Sequence, residues 1–175
     1  TAWGSSFSPD GSLVTIGYID SSSTFAGYFP EDAPDDDGMP ARAEIREAAT
    51  GDLVKTLEFP DCPTTQVSEF SPDGTQLAVF TGSDPDETGW CATWRTEFYD
   101  TETWEIVNVI EHGEAFGWSV WSGDGTRIFA APGVVYDAAT MEPIAEFPTD
   151  QGTLNRDGSV AATLAPDWVV IELWD

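Results

Sequence analysis

The sequence predicts an all-β chain built from one four-stranded antiparallel unit that recurs about four times. Three observations carry this reading. An Asp-Gly turn recurs in Phe7-Ser8-Pro9-Asp10-Gly11, Phe70-Ser71-Pro72-Asp73-Gly74, Trp121-Ser122-Gly123-Asp124-Gly125 and Leu154-Asn155-Arg156-Asp157-Gly158. A second, acidic turn follows the first three of these at a variable distance. Helical periodicity is absent, and Pro and Gly interrupt every candidate window.

Each Asp-Gly is followed by Ser or Thr and then an apolar run: Leu13-Val14-Thr15-Ile16, Gln76 to Phe80, Ile128-Phe129-Ala130 and Val160-Ala161-Ala162. Asp-Gly between apolar runs signals a hairpin, because Gly accepts the positive φ of a tight turn. This assigns strands A and B. A third strand ends in an acidic residue and a short polar turn: Glu44 to Gly51, Glu97 to Thr103 and Val134 to Thr140. The fourth strand follows as Leu53 to Phe59, Glu105 to Ile110 and Pro143 to Phe147. The units span about 1–60, 61–112, 113–149 and 150–175, the last incomplete after Trp174-Asp175. Length variation falls in the B–C loop, long over 20–41, intermediate over 81–93 and minimal over 131–133.

These units resemble the WD-like repeats of β-propellers, of the Pro-Asp type found in TolB and in the propellers of prolyl-oligopeptidase-like peptidases. The likeness rests on the two Phe-Ser-Pro-Asp-Gly turns, their two degenerate copies, the Tyr-Asp strand ends and Trp174-Asp175. It covers essentially the whole chain and implies a fold rather than an activity. It implies radially arrayed four-stranded blades, about four here, forming part of a larger propeller. The blade faces at both ends of such an arc are then covered by further blades or by another chain. True WD repeats carry a Gly-His dipeptide, which is missing here. The one histidine, His112, is read as a loop residue, and a buried histidine network is expected to be absent.

The 175 residues carry 6 Lys+Arg against 32 Asp+Glu, a formal net charge of -26. Cationic side chains that would contact phosphate are scarce and scattered, which argues against nucleic-acid and anionic-membrane partners. No apolar run is long enough for a membrane helix. Yet 41% of residues are hydrophobic and 13% aromatic, ample for a packed core. The acidity fits a solvated surface of either of two kinds: that of an acidic secreted protein, or that of a salt-adapted protein, cytoplasmic in the second case, whose melting temperature rises with NaCl.

In the propeller implied by the resemblance, D–A and B–C loops emerge at one end. Cys62 in a D–A connection and Cys91 in a B–C loop are therefore expected within reach of each other as a disulfide, which places the protein outside the cell or in the envelope. The acidic clusters share that end. No cofactor is required, but Asp35, Asp37 and Glu44, and separately Asp84, Asp86 and Glu87, are candidate Ca²⁺ ligands, since hard cations take several oxygen donors. Asp35-x-Asp37-Gly38 followed by Glu44 reproduces only the tail of a calcium loop: Ala33 stands at the first ligand position and Pro40 interrupts.

Phe25, Tyr28 and Phe29 in the longest loop, with Trp90 and Trp94 beside Cys91, are the candidate partner contacts, because aromatics are enriched at interaction hot spots. The alternative is that they fold these loops onto the sheets. Phe7, Phe70 and Trp121 precede equivalent turns and are expected to pack between units. No nucleophile elbow, phosphate loop or zinc spacing is present, so no catalytic residue is assigned. The expected role is a non-catalytic interaction module for a protein or peptide partner. Its rivals are the accessory propeller of a secreted hydrolase and a structural subunit of an extracellular assembly.

Overall fold

The computed structural model describes residues 2–18, 41–59, 65–85, 91–117, 119–148, 152–164 and 171–174. Among these there is no helix. The chain forms β1 (Ala2–Phe7), β2 (Leu13–Tyr18), β3 (Ala41–Glu47), β4 (Leu53–Phe59), β5 (Thr65–Phe70), β6 (Gln76–Pro85), β7 (Cys91–Asp100) and β8 (Ile106–Gly113). It continues with β9 (Ser119–Trp121), β10 (Arg127–Ala130), β11 (Val134–Asp137), β12 (Pro143–Glu146), β13 (Gly152–Leu154), β14 (Ala161–Leu164) and β15 (Ile171–Trp174). These make four separate antiparallel meanders: β1–β4, β5–β8, β9–β12 and the three-stranded β13–β15.

The turn chemistry explains why each meander starts where it does. Ser8 Oγ donates to Asp10 Oδ1 at 2.6 Å, and Ser12 N and Ser12 Oγ donate to the same oxygen at 3.0 and 2.9 Å. Leu13 N donates to Ser8 Oγ at 2.9 Å, which closes the hairpin. Ser71, Asp73, Thr75 and Gln76 repeat this pattern, as do Ser122, Asp124, Thr126 and Arg127. In the fourth copy Asn155 Oδ1 takes the part of the serine hydroxyl and accepts from Val160 N at 3.0 Å. Gly11, Gly74, Gly125 and Gly158 all sit at φ between 70° and 76°, where a Cβ is disfavoured. The hydrogen bonds from Ser8 and Ser12 hold Asp10 down to a pKa of about 2.

The acidic turns between third and fourth strands are equally regular. Asp100 Oδ1 accepts from Glu102 N, Thr103 N and Thr103 Oγ1, and Asp137 Oδ1 accepts from Ala139 N, Thr140 N and Thr140 Oγ1. Both turns close through a left-handed residue, Trp104 at φ 59° and Met141 at φ 56°, where the first unit has Gly51 at φ 77°. Trp104 and Met141 each pack against a core cluster, and that contact offsets the strained backbone.

The sheets are stacked through their faces. One cluster joins Ala43, Ile45, Leu57 and Phe59 of the first sheet to Phe70, Leu77, Val79 and Tyr99 of the second. Another joins Ala78, Phe98 and Ile110 of the second to Trp121, Ile128 and Ala130 of the third. Along β6, Leu77 and Val79 join the first cluster and Ala78 the second, while Phe80 packs with Cys91 and Trp94, so the whole run Leu77-Ala78-Val79-Phe80 is buried. First strands lie against one another in chain order, β1 with β5, β5 with β9 and β9 with β13. The fourth strands lie on the outside: Leu53, Val54, Ile106, Val107, Val109 and Ile144 are exposed.

Two expectations need correction. The second B–C connection is mostly sheet, because β6 and β7 continue pairing through Gly82↔Trp94 and Ser83↔Thr93 to Pro85↔Cys91. Phe70 and Trp121 pack between sheets as expected, but Phe7 does not, because among the described residues no sheet precedes the first.

Candidate functional site

The end of the sheets opposite the Asp-Gly turns carries the B–C and D–A connections, where the sequence sets the candidate contacts. Phe25, Tyr28, Phe29, Trp90, Asp35, Asp37, Asp86, Glu87 and Cys62 lie outside the described residues. Cys91, Trp94, Asp84 and Glu44 are described.

Trp94 is 3% exposed. Its ring stacks on Phe80 at 5.1 Å and meets Phe116 edge-on at 4.9 Å. The extended β6–β7 ladder turns Trp94 inward, so its assignment as a partner contact is corrected: it folds this end of the second sheet onto the core. Of the trio, Phe116 is the one that reaches the surface. Cys91 is buried beside Phe80 and Trp94 and is disulfide-bonded.

His112 lies in β8 and bridges the second and third sheets, which corrects the loop assignment. Nδ1 is 2.6 Å from Ala131 O, Nε2 is 2.8 Å from Thr96 Oγ1, and Thr96 Oγ1 is 2.9 Å from Ser119 Oγ. A carbonyl can only accept, so the proton is on Nδ1 and Nε2 accepts from Thr96, which in turn accepts from Ser119. Burial pushes the imidazole below its ordinary pKa, and the bond to Ala131 opposes this in part. A buried histidine network is therefore present after all. Its members come from β7, β8, β9 and the β10–β11 turn, and no sequence spacing reveals that meeting. With both nitrogens engaged and 5% exposure, His112 is built to hold sheets together.

Glu44 is clasped by two guanidiniums. Arg42 Nε donates to Oε1 at 3.0 Å, while Arg46 Nε and Nη2 donate to Oε2 at 2.9 and 2.7 Å. Burial pushes this carboxyl upward, but the two arginines outweigh it and hold it below its ordinary pKa. Both oxygens are thus committed within the sheet, which opposes their use by a cation. The second sheet repeats the device: Arg95 Nε donates to Glu97 Oε1 at 2.8 Å and Tyr99 Oη donates to Glu97 Oε2. Asp84 is exposed at φ 54°, and Thr93 Oγ1 donates to its Oδ2 at 3.3 Å. Among the described residues no three His, Cys, Asp or Glu side chains are grouped to hold a metal ion.

Compared with known proteins, the chain matches no family model and no curated relative.

Proposed function

We propose that the chain is a β-propeller module, its four meanders serving as blades, that binds a protein or peptide partner through the loop end and performs no catalysis itself. The observation that supports this best is the ordered stacking of the sheets: first strands side by side, and the face of each sheet on the next. The buried disulfide-bonded Cys91 supports an extracellular or envelope location, where such bonds persist. The exposed Phe7 supports the reading that further blades or another chain cover the end faces.

The loop end is the proposed contact surface because the length variation falls in the B–C connections, and because the sequence sets Phe25, Tyr28, Phe29 and Trp90 within those connections. Affinity capture from the extracellular fraction, with the wild type beside a variant carrying Ser at those four positions, tests it. A saturable partner held by the wild type and released by the variant is expected. An identical captured set, or none, contradicts the assignment.

A further inference from the structure

The two ends of the stack carry matching halves of one junction. At the first junction Phe70, Leu77 and Val79 of the second sheet are buried and pack with Ala43, Ile45 and Leu57 of the first. Phe7, Val14 and Ile16 hold the same places around the first Asp-Gly turn. Thr15 lies opposite Ile45 and is buried with it toward the second sheet. Val14, paired with Phe7, and Ile16 therefore face the other way, off the head of the stack. Phe7 is exposed there, and Val14 and Ile16 are half-buried. Among the described residues no sheet covers this face.

The tail of the stack supplies the other half. Gly152 faces Phe129 of the third sheet and pairs with Thr163. Thr153 and Ala162 pair one place along and so point off the tail, Thr153 exposed and Ala162 half-buried. Ala162 follows Gly158 as Ala78 follows Gly74. Ala78 shares a cluster with Trp121, which holds Phe7's place in its own repeat. The tail thus presents the small residue beside which the fold elsewhere seats an aromatic. The turns match as well. A Cβ on Gly74 would lie 3.5 Å from Pro9 Cδ, and one on Gly125 3.5 Å from Pro72 Cδ, so each of these turns leans on the one before it. Gly11 has nothing within 4 Å. In the last turn Arg156 stands where Pro9 and Pro72 stand in theirs. It is exposed and pairs with no carboxylate among the described residues. A copy of the chain seated ahead of Gly11 brings this cation to the turn that carries Asp10, and this charge match singles out a second copy as the occupant.

We propose that a second copy of this chain covers the Phe7 face, the fourth sheet of one copy packing on the first sheet of the next. The contact joins two different surfaces, so it closes into a ring or continues as an open row of copies. It rests on the proposed reading of the stacked meanders as blades and names what covers their end. A charge of -26 on each copy keeps copies apart in dilute, low-salt solution. At about 1 M NaCl the screening length falls to ~3 Å and the faces meet.

Sedimentation velocity of the 175-residue chain at about 1 M NaCl tests this. The mean mass should rise above that of one chain as the protein is concentrated. Phe7→Glu blocks the head and Ala162→Arg the tail, and each variant alone should associate at least tenfold more weakly. Mixed, the two should form a dimer, because the first variant keeps an intact tail and the second an intact head. Thr153→Arg replaces the tail variant should Ala162→Arg not fold. A wild type that stays monomeric, variants that associate undiminished, or a mixture that fails to pair overturns the proposal. Pairing of two like surfaces would give this last result, and so would a face reserved for further repeats or for a different protein. Contacts between successive sheets within one copy, read by NOE spectroscopy in the same sample, separate failure of this proposal from failure of the stacked-blade reading. They persist in the first case and are missing in the second.

Discussion

Phe7 and Phe70 hold the same place in successive repeats, yet Phe7 is 64% exposed and Phe70 is 6% exposed. The difference lies in what stands before each sheet. Phe70 is covered by Ala43, Ile45 and Leu57 of the preceding meander, whereas nothing described precedes β1. Phe70→Ala should therefore cost about 3–5 kcal/mol in chemical denaturation, and Phe7→Ala under about 1 kcal/mol. Equal costs would mean that the Phe7 face is covered in solution.

His112 makes the junction of the second and third sheets sensitive to acid. Its folded pKa lies below the ordinary value, so the unfolded chain takes up the proton first as pH falls. The stability it supplies is present above about pH 6.5 and is lost as pH falls through that value toward the folded pKa. The wild type should lose stability between roughly pH 7 and 5 relative to His112→Gln, read as a difference in denaturation midpoint. Parallel pH profiles would refute the buried network.

The Asp-Gly turns act in a lower range. Hydrogen bonds from Ser71 and Thr75 hold Asp73 below its ordinary pKa. Its contribution is thus present above about pH 4 and fades as pH falls through the folded value. Asp73→Ala removes the acceptor of three hydrogen bonds and should cost about 1 kcal/mol at neutral pH. The cost should shrink below about pH 3. A cost that does not change with pH would show that the carboxylate charge is irrelevant to the turn.

Gly152 is required by a neighbour. A Cβ there would lie 2.6 Å from Phe129 Cζ and 3.0 Å from Ala162 O. Gly152→Ala should destabilise by about 1–3 kcal/mol through overpacking, measured by thermal or urea unfolding. A neutral substitution would mean that the fourth sheet does not seat on Phe129.

The meander pattern was legible because its turns are written in local chemistry: a carboxylate two residues before a Ser or Thr, and a glycine where φ must be positive. What escaped prediction depends on register and on meetings across sheets. Trp94 read as a loop aromatic because nothing local shows that β6 and β7 keep pairing past Thr81. His112 read as a loop residue because Thr96, Ser119 and Ala131 converge on it from separate elements.

The stacking of successive sheets is the claim on which the fold and the proposed function rest. Methyl-selective NOE spectroscopy reads it directly. Contacts from Ile45 and Leu57 to Leu77 and Val79, and from Ile110 to Ile128, are expected together in one sample. Intact strand pairing within each meander without those cross-sheet contacts would contradict the account.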